Sequence, residues 1–477
     1  MTRKEQEIRD QEIVEAIHQN TLKILDEIGI AFGDYEALAF MKSKGIRVEG
    51  DRAYFTEKQV MDALDATTKE FTVYARNPKY NVKMNTEDLY MTPAYGSPFI
   101  CEADGTERDG TLDDFLKIAM IVQASEEFSI NGGILVQPYD IDASISAEVM
   151  VYATLCRSDK ALFSVCGDGQ VAENIMEMMR IVFGGSIENI PCTFNLISPL
   201  APLGLAKNSI ETIKICAENG QPVALGPAPM AGATGPITLA GNISVANAEI
   251  LGINVYTQLV RPGTPVIYTY AGTVSDMANM SVSNCCPGFN KQARYGSLMA
   301  KRYGLPCRSG GGMTNANGLN AQAGVESAIN FFESFSEKAN LMMHAAGSLK
   351  SFMSVSLEKF ILDIETFTRM RYYFSDMPAD EDALAFDVIK EVIEQKESFV
   401  TMEHTFEHCR SVPWNSQVSV HSNTQISADA DLLNSIQARL DKVLASYERP
   451  ELPAETRAKL DEVMRKVGMK ETDISRV

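Results

Sequence analysis

The side chains with the most to offer chemically are rings, not acids or bases. Tyr95, Phe99, Tyr268, Tyr270, Phe331, Phe332 and Phe352 stand within or beside short apolar runs. Such rings attract a quaternary ammonium through their negative faces by roughly 0.5–2 kcal/mol each. Phe331 and Phe332 sit in a helical pattern and read better as core. Of the five histidines, His344 alone falls at the end of a strand-like run, in MMHAAG. There it either donates to a substrate carboxylate or is a satisfied buried ring. Arg308 lies inside another run, LPCRSGGG, where its fork needs a carboxylate substrate or a buried acid, and structural pairing is the commoner arrangement. Glu249, Asp276 and Glu326 are acids in apolar surroundings with no evident partner, so no general base is assigned.

Glycine clusters come next. GPAPMAGATGPITLAG and RSGGGMTNANG supply backbone that takes positive φ or lets a large planar ligand lie close. Neither matches a Walker A pattern or a GxGxxG in a strand-turn-helix unit. A phosphate loop after the seventh strand is the competing use of the second cluster. His404 and His408 stand four apart beside Glu403 and Glu407, which superficially suits a metal. No third ligand or HExxH order accompanies them, so an exposed helix end is expected and no metal is assigned. The nine cysteines include no CxxC pair, as befits reduced thiols rather than a disulfide framework or a zinc ribbon.

Positioning such groups requires a scaffold, and the length of 477 residues allows one large barrel with additions or two to three smaller domains. Composition is that of an ordinary globular chain, with 45% hydrophobic and 22% charged residues. The formal charge of −20 disfavours nucleic acid and anionic membranes as partners. No apolar run is long enough to span a bilayer and the charged start is unlike a signal peptide, so a cytoplasmic location is expected.

From about 88 to 346, eight short apolar or β-branched runs alternate with helical patterns: LYMTPAY, SINGGILVQ, ALFSVC, PCTFNLI, PVALGP, TPVIYTYAG, LPCRSGGG and ANLMMHAAG. Repeated βα units of this number predict an α/β fold, a (β/α)8 TIM barrel, with an open doubly wound sheet as the competitor. Before it, residues 1–87 read as an α+β cap of helices and hairpins. The barrel is expected over 88–353, and 354–477 as a C-terminal helical extension packing on the barrel or on a second subunit. In a barrel the chemistry sits at the C-terminal strand ends, which is where Tyr95, Phe99, Tyr268, Tyr270, His344 and Asn315 fall.

GPAPMAGATGPITLAGNISVANAEILGINVYTQLVRPGTPVIY, GGGMTNANGLNAQAGVESA and ANLMMHAAGSLKSFMSVSLEKFILDIE, with the opening TLKILDEIGI, resemble the trimethylamine methyltransferase family over about residues 10 to 400. That resemblance implies a (β/α)8 barrel transferring a methyl group from a methylated amine to the cobalamin, as cob(I)alamin, of a separate corrinoid protein. No cofactor is then held tightly by this chain. The founding branch uses pyrrolysine. Here only standard residues occur, so the chain resembles the branch without it, whose substrates are quaternary amines such as glycine betaine, carnitine, proline betaine and γ-butyrobetaine.

With this chemistry in view, the predicted strand ends suggest roles. A trimethylammonium head is already a fair leaving group, so positioning and desolvation suffice and no general acid is needed. Tyr95, Tyr268 and Phe352 are expected to form the cage, with Phe99 and Tyr270 nearby, and His344 with Arg308 or Asn315 to hold the carboxylate. Gly232, Gly235, Gly310, Gly311 and Gly312 are expected to accommodate the corrin ring, and a homo-oligomer is expected. A betaine-binding protein without turnover and a barrel enzyme acting on a phosphorylated metabolite are the alternatives.

Overall fold

The computed structural model describes residues 2–85, 88–419 and 428–477. Eight short strands carry the architecture: β1 (Tyr90–Met91), β2 (Ile130–Gly132), β3 (Ala161–Phe163), β4 (Thr193–Ile197), β5 (Val223–Leu225), β6 (Val266–Tyr268), β7 (Arg308–Gly310) and β8 (Leu341–Met343). Strands β2 to β6 pair in parallel in chain order, β7 pairs with β8, and β8 with β1. Parallel bridges from Met91 to Phe128 and from Tyr268 to Cys307 join the two sheets at both seams. The ring is thus closed, which leaves no free edge. Each of the eight expected runs contains one of these strands.

A helix follows each strand: α1 (Leu112–Ala124), α2 (Ser146–Arg157), α3 (Gly169–Phe183), α4 (Lys207–Glu218), α5 (Leu239–Val260), α6 (Pro287–Tyr303), α7 (Ala321–Ser336) and α8 (Leu357–Tyr373). Helix α5 is buried on nearly all sides, as a helix covered from both directions is. On its outer side lies the N-terminal helix Arg3–Glu27, where Asn247 Nδ2 donates to Thr21 Oγ1 at 2.9 Å. Among the described residues no helix is long and apolar enough to cross a membrane.

Helix α8 corrects the sequence reading, which assigned it to the extension. It packs against α7 through Phe367, whose ring lies 6.4 Å from Phe331 and 5.4 Å from Phe335, and so occupies the eighth position of the helical ring. We therefore place the end of the barrel after Tyr373. Beyond it, helix Ala428–Ala445 lies along α8 and α1, and helix Ala454–Val467 along α2 and α3.

Register decides which side chains enter the lumen. Phe163 stands beside Phe194 and Gly132, and Arg308 beside Leu341, itself beside Tyr90. Ile130, Phe163, Phe194, Ile267, Leu341 and Met343 belong to one buried cluster that fills the interior. The hairpin of strands Phe71–Val73 and Val82–Met84 closes the N-terminal end, adding Val73, Val82 and Met84 to that cluster. Only the C-terminal mouth is left for a site.

Candidate functional site at the barrel mouth

The loop leaving β1 brings Tyr95 over the lumen. Its ring stacks on Phe163 at 4.8 Å and 20°, and Phe163 stacks on Phe194 at 4.7 Å and 13°, a ladder of three rings across β1, β3 and β4. Glycine at 133 is what permits it: with φ of +75°, a Cβ there would lie 2.6 Å from Tyr95 Cδ2. Burial pushes the Tyr95 hydroxyl up from its ordinary value, so it stays neutral.

His344, just beyond β8, is buried and faces this ladder. The Tyr95 N–H donates to His344 Nδ1 at 3.3 Å, and the Phe352 ring lies 4.3 Å from the imidazole. Burial first, and the charge of Arg308 second, hold His344 well below its ordinary pKa. The imidazole is therefore neutral, and with Nδ1 accepting, the proton sits on Nε2, free to donate.

Phe352 belongs to a strained loop. Lys350, Ser351 and Phe352 are three consecutive non-glycine residues at φ of 50°, 55° and 76°, and His344 is at 52°. Each such residue costs on the order of 1 kcal/mol and persists only where the surroundings over-determine it. Here Lys350 pairs with Glu107 at 2.9 Å, and Ser351 Oγ donates to Asn315 Oδ1 at 2.7 Å.

Arg308 supplies the charge. Its Nη1 donates to the Tyr270 carbonyl at 3.2 Å, beyond the end of β6, so the guanidinium reaches toward the mouth. Its Nε has no hydrogen-bond partner, and among the described residues no carboxylate lies within 4.0 Å of it. Burial pulls its pKa down to about 10, so it remains a cation at neutral pH, held in a largely apolar barrel without a counter-ion. Thr269 Oγ1, Ser348 Oγ and both side-chain polar atoms of Asn284 are likewise buried and unpartnered.

A second buried cation holds the loops from behind. Lys359 Nζ on α8 donates to Asp363 Oδ1 and Oδ2 at 2.8 and 2.7 Å, to Ser327 Oγ at 3.0 Å and to the Gly312 carbonyl. Asp363 Oδ2 also accepts from the Gly347 N–H at 2.8 Å. The pair thereby ties together the loops after β7 and β8. Burial raises the Asp363 carboxyl to about 6 even though Lys359 opposes the shift.

Several expected site residues lie elsewhere. Tyr268 shares the register face of Leu225 and Ile197 and donates from its hydroxyl to Asn247 Oδ1 on α5 at 2.9 Å. It lies in the layer between strands and helices, outside the cage. Tyr270 likewise turns to α6, donating to Gln292 Oε1 at 2.7 Å. Asn315 spends its amide on loops, accepting from the Asn284 N–H and Ser351 Oγ and donating to Ser283 Oγ. Phe99 opens a mouth strand and pairs there with Ser354, two residues beyond Phe352.

The five glycines lie where the chain packs closely on itself. A Cβ at Gly310, Gly311 or Gly312 would strike Met313, Ala345 or Asp363 at 2.3–2.5 Å, one at Gly235 would strike Asn242 at 2.0 Å, and one at Gly232 would meet Ile237 at 2.8 Å. The chain's own close packing accounts for them. Phe331 is buried as expected, whereas Phe332 is half exposed against Tyr373 and Phe374. Of the unassigned acids, Glu326 accepts from Thr314 Oγ1 and the Asn315 N–H, and Glu249 from the Leu203 N–H. Phe163 and Phe194 were not among the expected site residues. The signal was the two-residue period, which places Ala161 and Phe163 on one face and Phe194 beside it.

Comparison with known proteins agrees with this architecture. The model of the family described as trimethylamine methyltransferase matches residues 2–470. A glycine betaine methyltransferase of Desulfitobacterium hafniense is 36% identical over 451 residues, covering 94% of each chain. An L-carnitine:corrinoid methyltransferase of Eubacterium limosum is 26% identical, covering 74% of each. Among solved structures, the hydroxylamine complex of MtmB superposes with a TM-score of 0.50 at 10% identity, covering 91% of this chain and 92% of that one, a likeness of fold. With its closed barrel and its matching span of nearly the full length, the chain belongs to the trimethylamine methyltransferase family.

Proposed function

We propose that the protein demethylates a quaternary amine bearing a carboxylate, a betaine, and delivers the methyl group to a corrinoid protein. The observation that carries this reading is Arg308: a buried cation without an acid partner, beside a neutral imidazole donor and a ladder of rings. A lone buried cation is costly, and an anionic group of the substrate entering the barrel would relieve that cost. The carboxylate is bound by Arg308 and by the Nε2–H of His344, through charge-assisted hydrogen bonds. The trimethylammonium end lies against the faces of Tyr95 and Phe352, with Phe163 and Phe194 supporting Tyr95 from behind.

The scarcity of acids in this arrangement suits the chemistry. The N–CH3 bond breaks with its electron pair left on nitrogen, giving a tertiary amine, while the methyl carbon passes to the cobalt(I) of the corrinoid protein, which supplies the nucleophile. No proton moves in that step. The chain's task is to exclude water and to hold the C–N bond in line with the mouth. Names of relatives acting on glycine betaine and L-carnitine support a substrate that carries both charges.

The test is anaerobic absorbance with purified protein, reduced cob(I)alamin and a panel of glycine betaine, carnitine, proline betaine, γ-butyrobetaine, choline and tetramethylammonium. Conversion to methylcobalamin with a carboxylate-bearing member, and little with the last two, is the expected result. Conversion with choline or tetramethylammonium at the rate of the betaines would overturn the role of Arg308. No conversion with any of them, while a betaine raises the melting temperature, would favour a binding protein.

A further inference from the structure

Far from the mouth, residues 375–412 form an unusual segment. All are described, yet only Val392 among them is buried. The segment contains helices Glu381–Leu384, Phe386–Gln395 and Glu403–His408. One buried side chain offsets little of the conformational entropy lost by ordering such a stretch, and small units without a core are held by disulfides or metals.

A candidate staple lies between the first and last of these helices. His404 and His408 stand one turn apart on a common face, with ring centroids 4.4 Å apart. The fold brings Asp382 to them from 22 residues upstream: its Oδ2 lies 2.9 Å from His408 Nε2, and its carbonyl oxygen 3.2 Å from His404 Nε2. One ligand atom from each of Asp382, His404 and His408 lies within 4.8 Å of the other two. Local spacing around the histidine pair offers no third ligand. Asp382 supplies it.

We propose that Asp382, His404 and His408 bind a divalent cation of the zinc class and so clip helix Glu403–His408 to helix Glu381–Leu384. Two imidazoles and a carboxylate are an intermediate donor set that suits Zn2+ and Co2+ over Mg2+ or Ca2+. Bonds of about 2.0–2.2 Å in a tetrahedral site put neighbouring ligands about 3.3 Å apart, so side-chain adjustment on the order of 1 Å closes the site. A water completes the coordination, as three protein ligands require. The exposure of Asp382 and the partial exposure of both histidines give the ion an open path. The proposal is independent of the barrel mouth and stands whichever amine is demethylated.

The experiment uses the full-length, untagged protein after chelator treatment, titrated with Co2+ and then Zn2+. One equivalent of Co2+ should bind per chain with the visible absorption of a four-coordinate ion, and one equivalent of Zn2+ should abolish that absorption. Affinity should fall by at least about ten-fold in His404→Ala and in His408→Ala, and measurably in Asp382→Asn. Zn2+ should also slow proteolysis within 375–412 in the parent but not in His408→Ala. Absence of saturable Co2+ binding overturns the site, and so does binding of equal affinity in His408→Ala.

Discussion

Lys359 and Arg308, two of the buried cations among the described residues, have opposite surroundings. Lys359 has a carboxylate, a hydroxyl and a backbone carbonyl around its ammonium. Arg308 has one backbone carbonyl and an orphaned Nε. The first joins loops from β7 and β8 to α8, and the second faces the lumen among rings. A buried charge whose partners are all internal serves the fold. One whose acid partner is missing suits the role proposed for Arg308, in which the carboxylate of the substrate supplies the partner.

The comparison can be broken most forcefully at Lys359. Lys359→Met leaves Asp363 buried without its counter-charge and frees the Gly312 carbonyl and Ser327 from the ammonium, so stability should fall by about 3–5 kcal/mol, read by denaturant unfolding. Loss of less than about 1 kcal/mol would mean that the pair is no clamp.

Arg308→Met should move stability the other way. Removing an unpaired buried cation should stabilise the free protein by about 1–3 kcal/mol, while betaine affinity drops by about 100-fold or more. If calorimetry shows binding intact, or if unfolding shows a loss of stability, Arg308 is a structural residue like Lys359.

Glu249 sharpens the contrast from the acid side. It is fully buried on α5 with Oε2 unpartnered, and burial raises it to about 7 from an ordinary 4.5. Between those values the folded protein binds more protons than the unfolded chain, so this group makes stability fall as pH rises from about 4.5 to 7, flattening above. Glu249→Gln should remove that fall, an effect on the order of 2 kcal/mol between pH 5 and pH 8. Parallel stability–pH curves for parent and variant would contradict it.

Tyr95→Leu should act most gently. It keeps apolar bulk over Phe163 but removes the ring face, so betaine affinity should fall by roughly 3- to 30-fold, with the melting temperature little changed. Equal affinity in the variant would remove Tyr95 from the cage.

Much of the fold is legible in the sequence because eight β-rich runs recur between helical patterns, and Tyr95, His344 and Phe352 do converge at the mouth. Which face of a strand looks inward is far less legible. In TPVIYTYAG both faces are buried, one in the lumen and one under helices, so alternation of polarity is absent and Tyr268 and Tyr270 read as lumen residues when register turns them outward. Phe163 and Phe194 were passed over for the same reason. That Arg308 lacks an acid partner, and that Asp382 meets His404 and His408, depend on packing between distant segments. Neither is written in local spacing.

The most direct test of the central claim compares kcat/KM for glycine betaine and for tetramethylammonium in the parent protein and in Arg308→Met. If Arg308 reads the carboxylate, the parent should prefer glycine betaine strongly, and the variant should lose about 100-fold or more of that preference while tetramethylammonium turnover holds or rises. An unchanged ratio between the two substrates would show that the buried cation does not face the substrate.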